Sequence, residues 1–482
     1  MGKCRAVKNN IEQHSALQNR SATHFRWLLR LLVVACALLI LIGPLRRRQR
    51  DATLSTESPR ETLGAAERPD VPRPERTRWD SHRISPIPVP TPEETVASKV
   101  SEFVRSRRDI VRGIARRTGK EIPAEIERFF DALESGVWEE IEAQWKALSM
   151  RSGQYEGATH SPELDPFWPA VLDAYGVAEQ AHLWPAQKLL DYGNAILNSL
   201  RPGMVYVGGT DNGRWVPELL NETSGVDPHI IVTQNAFADS RYLEYMQTLY
   251  GERFATLTSE DSQHAFQEYI TDAQRRLEHD QQFPDESKQV RPGEDIRMVD
   301  GKVQVSGQVA VMTINEKLLQ TLMQKNPDLS FAIQESFPMR GTYADALPLG
   351  PLMELRAQEG QNALTPERAA QSVDFWRSTA QQLLSDPEAT GSPAALKSYS
   401  HDAVSAANLL AAHNFTAEAE EAYRLGMQFW PESAESVAGL ADLLAANGRT
   451  DEAQYLIGDF ERQYPGKRKD LERARTRGSI IR

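Results

Sequence analysis

The chain has 482 residues, 40% hydrophobic and 25% charged, which suits two or three globular units and excludes a collagen-like or wholly disordered composition. Its net charge of -12 hides a split, because residues 1–100 hold 17 Lys and Arg against 10 Asp and Glu, and the remainder 38 against 57. So acidic a body lacks the clustered basic face of a nucleic-acid binder, and with both cysteines, Cys4 and Cys36, in the basic leader it has no disulfide or thiolate-bound zinc.

Residues 1–26 are read as a basic tail. From Trp27 to Leu45 the chain runs WLLRLLVVACALLILIGPL, long and apolar enough for one membrane span, with Arg30 snorkelling to an interface. A cleaved signal peptide fits less well, since Arg46, Arg47, Arg48 and Arg50 follow where small residues would be needed. Val33-Val34-Ala35-Cys36 has the form of a bacterial lipobox, but the apolar run continues past the cysteine. Basic residues flank both ends, so charge does not choose the orientation. Residues 46–98 are rich in Pro and Arg, with Pro86, Pro88, Pro90 and Pro92 alternating. That pattern predicts an extended, disordered tether.

Helical spacing of apolar residues marks 99–200 as a helical segment. Ile126, Phe129, Phe130 and Leu133 form one stripe and Val137, Ile141, Trp145 and Leu148 another, with Gly136 between them. This predicts an antiparallel helix pair whose Trp138 and Trp145 serve the core rather than a ligand platform. Residues 151–170, with Pro162, Pro166 and Pro169, read as loop, and 184–200 as a further helix.

Residues 201–360 predict an α/β domain with a small parallel sheet. The run MVYVGG from Met204 is a strand ended by glycines, a helix follows, then HIIVTQNAF and another helix from Asp239 to Tyr250. Residues 254–300 read as helix and then loop, Val309–Thr313 as a strand, 315–325 as a helix and 329–333 as a strand. The loop Gly208-Gly209-Thr210-Asp211-Asn212-Gly213-Arg214 sits where a parallel strand hands over to a helix, a position suited to an anion or a sugar-containing ligand. Arg214 offers a bidentate clamp, and Asp211 and Asn212 can orient a hydroxyl. The competing reading is a tight turn capped by Asp211. Asn235 and Asp239 follow the second strand on the same edge, and Glu335, Arg340 and Tyr343 follow the late strand. The string lacks the Lys-Ser/Thr pair of a P-loop. No catalytic constellation, metal site or cofactor is expected.

Two short strings, Gly209-Thr210-Asp211-Asn212 and Glu335-Ser336-Phe337-Pro338, resemble pieces of the extracytoplasmic soluble parts of polytopic bacterial membrane proteins that look like O-mannosyltransferase-type glycosyltransferases. The resemblance implies an extracytoplasmic body on an inner-membrane anchor. A single span departs from the multi-helix core of such enzymes, so it does not imply transferase activity here.

Residues 361–397 read as linking helices, and 398–466 contain an internal repeat. An offset of 34, the tetratricopeptide period, pairs Leu409 with Leu443, Thr416 with Thr450, Glu418-Ala419 with Glu452-Ala453, and Pro431 with Pro465. Small Ala407 and Ala441 let helices approach, and Thr416 and Thr450 are expected to cap each second helix. Phe460 stands where the first copy has Gly426. The segment resembles tetratricopeptide repeats, which implies a concave, all-helical surface for a protein or peptide partner. Residues 467–482 read as a basic tail. The function expected is a membrane-anchored interaction scaffold, the alternative being a binding module or enzyme for an anionic or sugar-containing small molecule at Gly208–Arg214.

Overall fold

The computed structural model describes residues 89–153, 158–225, 228–291, 293–299, 302–355 and 364–479. The expected membrane span at 27–45, the tail before it and the tether up to residue 88 lie outside the described residues. Among the described residues, no helix is long and apolar enough to cross a membrane.

Helix α1 (Pro92–Thr118) begins inside the segment read as tether. Thr91 and Glu94 form a capping box there and Pro92 opens the helix, so the last proline of the alternating run starts a helix instead of extending the tether. Helices α2 (Ala124–Ser135) and α3 (Trp138–Ser149) form the expected pair, parted at Gly136 with φ 71°. Helix α4 (Trp168–Leu183) overlaps the predicted loop because Pro169 falls in its first turn, where a missing N–H costs nothing. Helix α5 spans Ala186–Ser199.

The central region runs β1 (Val205–Gly208), α6 (Asn212–Glu222), β2 (Ile230–Thr233), α7 (Ser240–Tyr250), α8 (Ser259–Gln282), the hairpin β3 (Asp295–Val299) and β4 (Lys302–Ser306), α9 (Gln308–Lys325), β5 (Phe331–Ile333), β6 (Leu347–Leu349) and β7 (Leu352–Glu354). Strand order in the main sheet is β2-β1-β5-β7-β6. Strand β1 pairs in parallel with β2 and β5, whereas β7 pairs antiparallel with β5 and β6. The sheet is therefore mixed, not the parallel one expected, because Gly350, at φ 58°, turns a short hairpin back onto its edge. Both faces are covered: Val205, Val207, Val232, Phe331 and Ile333 join one apolar core and Tyr206, Ile231 and Ala332 another. Double burial explains why MVYV is continuously apolar.

The segment 309–313 is helix rather than strand. Its β-branched residues suggested a strand, but Ala310, Ile314, Leu318 and Leu322 make one buried stripe at four-residue steps. Helix α4 crosses α6 with Gly176 against the Trp215 ring, where any Cβ would overlap the indole. Gly176→Ala is expected to lower stability by roughly 1–3 kcal/mol; an unchanged denaturation midpoint would contradict this packing.

The C-terminal part is all helix: α10 (Pro366–Leu384), α11 (Pro387–Thr390), α12 (Pro393–Ala412), α13 (Thr416–Phe429), α14 (Ala434–Ala446), α15 (Thr450–Gln463) and α16 (Arg468–Ser479). Helices α13 and α15 start and end 34 residues apart, and the turns before them pass through the left-handed region at Asn414 (φ 64°) and Gly448 (φ 78°). Those turns place the cap one residue before each threonine. Thr416 and Thr450 therefore lie inside the first turn, and the cap positions are Phe415 and Arg449, with no side-chain cap bond. The departure at Phe460 has a packing reason. Gly426 lets Ser436 of the next hairpin approach, whereas Phe460 packs with Leu471 and Ala474 of α16. The segment read as a basic tail is thus largely helix, packed on α14 and α15.

Candidate functional site

Strands β2, β1 and β5 present their carboxyl ends at one edge. The chain leaves β1 toward β2 and later lays β5 on the other side of β1, so the loops after β1 and β5 diverge at a topological switch point. This is the crevice in which open α/β sheets take ligands. In this protein its neighbour is α12.

The two strings singled out from the sequence meet there. Asp211 caps α6, one carboxylate oxygen accepting from the Gly213 N–H at 2.9 Å and the other from the Ser336 hydroxyl. Gly209 permits that approach, since a Cβ would overlap Ser336, and Gly213 does the same for the Gln334 amide. Gly208 closes the sheet edge, its carbonyl accepting from the Gln234 N–H at 2.8 Å. Asn235 is buried and donates to the Thr210 hydroxyl oxygen at 3.1 Å, leaving its own Oδ1 without a partner. Asn212 donates to the hydroxyl of Ser398 on α12. Asp239 sits apart: it caps α7 and pairs with Arg241 at 2.8 Å.

Arg214 points away from the loop's mouth. It is 3% exposed and donates to Gly209 O, Glu218 and Asp173, each at 2.9 Å. Arg107 of α1, fully buried, reaches Glu218 at 3.0 Å and also Glu222, and the Tyr245 hydroxyl donates to Asp173 at 2.9 Å. Two guanidinium groups thus face three carboxyls. Burial pushes the Glu218 carboxyl up, opposed by Arg214 and reinforced by the nearby Asp173. A proton held on Glu218 brings the cluster to neutrality, which a site this dry requires.

The roof over the crevice comes from the repeat. Asp402 of α12 accepts from Gln334 Nε2 at 2.7 Å and from the Tyr192 hydroxyl at 2.9 Å. Burial raises the Asp402 carboxyl to about 6, although nearby His401 pulls the other way. His401 joins three segments, one ring nitrogen on Glu435 of α14 at 2.8 Å and the other on the backbone carbonyl of Glu335. Both partners only accept, so the ring must donate from both nitrogens, as an imidazolium. Burial alone would lower its pKa, but the Glu435 carboxylate outweighs this and raises it to about 10. Glu335 accepts from the Met339 N–H at 2.9 Å and the Tyr343 hydroxyl at 2.8 Å, yet burial still lifts it to about 7. Arg340, on the same segment, has a buried Nη1 without a partner, and burial holds its pKa below the usual range. His413 also reaches the Tyr343 carbonyl at 2.7 Å.

Of the sequence-derived candidates, Gly208, Gly209, Thr210, Asp211, Asn212, Asn235 and Glu335 gather at this edge, while Arg214 and Asp239 serve other contacts. Reading the sequence missed Gln334, Ser398, His401 and Asp402. A signal for part of this existed: Ser398, Asp402 and Ser405 lie at steps of four and three along α12, a polar stripe among the small and apolar residues Ala395, Ala403, Ala406 and Leu409 that needs a polar partner. Trp138 and Trp145 belong to a stacked series, Trp145 lying 3.9 Å from Tyr175 and Trp138 4.2 Å from His182. Comparison with known protein families, with characterised proteins and with solved structures finds no match to this chain.

Proposed function

We propose that this chain is a binding module, held on a membrane by residues 27–45, that takes a polar, hydroxyl-bearing small molecule at the carboxyl edge of its sheet. The observation that carries the reading is the convergence of Thr210, Asp211, Asn235 and Ser336 from three separate loops at the switch point, beside an Asn235 oxygen without a partner. With Arg214 committed to the interior, hydroxyl recognition fits this edge better than recognition of a phosphate. A sugar-containing ligand suits the donors and acceptors that remain.

The test is a thermal-shift screen of the full-length chain against neutral and acidic sugars. A ligand that raises the midpoint is expected to lose about tenfold in affinity in Thr210→Val and in Asn235→Ala, the worth of one hydrogen bond each. If no sugar shifts the wild-type midpoint, or both variants bind as well as wild type, this reading fails.

A second reading, the interaction scaffold, is supported by a different feature. The inner helix α12 of the first tetratricopeptide-like hairpin is spent on the chain's own sheet, but Tyr455 on α15 is 70% exposed. With Asp451, Glu452 and Asp459 on the same helix, it would favour a basic protein partner. Capture from solubilised membranes with wild type and Tyr455→Ala tests this, and equal retention of the same partner by both would exclude that face.

A further inference from the structure

A small cavity lies beyond the carboxyl end of β5, between the β6–β7 hairpin and helices α10 and α12. It is lined by Gln334, Glu335, Ser372, Asp402 and Ser405 among mostly apolar neighbours, and has room for about one water molecule. Its polar lining consists largely of oxygens that can still accept. Ser372 is 5% exposed and its hydroxyl has no partner, and Gln334 is 4% exposed with its Oε1 likewise unpartnered. The Ser405 hydroxyl donates to the His401 carbonyl and so retains its lone pairs. Asp402 is 1% exposed, and each of its carboxylate oxygens accepts only one hydrogen bond, leaving a further acceptor site on each. Among the described residues no Lys, Arg or His lies within ion-pair distance of it, and the His401 ring is turned to Glu435 and Glu335.

The Glu335 carboxyl is taken up by the Met339 N–H and the Tyr343 hydroxyl, so the site offers one further carboxylate, Asp402, with hydroxyl oxygens and an amide oxygen, hard ligands with a single negative charge. Two carboxylates would favour a divalent ion, whereas this set matches a monovalent one. We propose that the cavity binds a monovalent alkali cation, Na⁺ or K⁺, which neutralises Asp402 and ties helices α10 and α12 to the end of β5. The cation replaces the proton that burial otherwise drives onto this carboxyl. Gln334 and Asp402 also roof the neighbouring sugar-binding edge, but the cation site does not require that edge to bind a sugar.

The experiment is a set of thermal unfolding curves for the full-length chain in NaCl, KCl and choline chloride at equal ionic strength and pH 7.5. At least one alkali cation is expected to raise the midpoint above that in choline by about 2 °C or more, with saturable concentration dependence. Ser372→Ala removes one ligand with little change of shape and is expected to weaken the apparent affinity at least about tenfold. Asp402→Asn is expected to abolish the cation dependence. Line broadening of ²³Na in solution, reversed by excess K⁺, reads binding directly and does not depend on Asp402→Asn folding. Identical midpoints in all three salts with no ²³Na broadening, or an undiminished cation response in Ser372→Ala, would overturn the proposal and leave a structural water in the cavity.

Discussion

Replacing Arg214 by alanine is expected to destabilise the protein by about 3–5 kcal/mol, because it strands Asp173 and Glu218 in a dry interior with only Arg107 left to face them. The effect exceeds that of an ordinary surface arginine, whose loss is worth about 0–1 kcal/mol. Equilibrium unfolding in urea reads it directly. By contrast, Asp211→Ala removes a cap at the crevice and is expected to cost only about 1 kcal/mol. If Arg214→Ala unfolds at the wild-type midpoint, the guanidinium is not holding those carboxyls and a ligand-facing role returns. A double change, Arg214→Met with Asp173→Asn, is expected to recover much of the loss, since it removes a charge of each sign and leaves Arg107 opposite Glu222 beside the protonated Glu218.

The second large effect is a dependence of stability on pH through Glu335. Its carboxyl is raised by burial from an ordinary 4.5 to about 7, against the hydrogen bonds from Met339 and Tyr343. The folded protein therefore binds this proton more tightly than the unfolded chain does. The stability that Glu335 contributes is complete below about 4.5 and is lost as the pH rises through 7. A displacement of that size corresponds to about 3 kcal/mol. Glu335→Gln keeps an acceptor for the Met339 N–H and offers an amide N–H₂ to the Tyr343 oxygen, so it should fold and no longer titrate. The stability difference between variant and wild type is expected to shift in favour of the variant by about 3 kcal/mol between pH 4.5 and 8.5. His401 acts in the same direction at higher pH: its contribution is full below 6.5 and is lost as the pH rises through about 10. A pH-independent difference would show that Glu335 keeps its ordinary pKa in the fold.

Much of the architecture was readable from local pattern. The strand at Val205–Gly208, the cap at Asp211, the break at Gly136 and the 34-residue offset between α13 and α15 all follow from residue type and spacing. Each depends on chemistry within one turn or one hairpin, which a sequence displays directly. The misread segments share a cause. Val309–Thr313 has strand-forming residues but is held helical by the core its stripe enters, and the prolines near α4 suggested a loop until burial of Trp168 and Val171 made a helix.

At the candidate site the sequence by itself determined the glycine loop, its capping aspartate and the separate Glu335-Ser336 string, because those are local backbone requirements. Tertiary structure alone decided what they face. Asp211 meets Ser336 across 125 residues, Gln334 meets Asp402 across 68, and Arg214 meets Asp173 across 41. It also turned the inner face of the first hairpin onto the sheet, giving the conspicuous arginine a buried partner and leaving His401 and Asp402 over the crevice. Such pairings are set by which charged groups must share a dry interior once the apolar faces close. That condition exists only after the chain has folded.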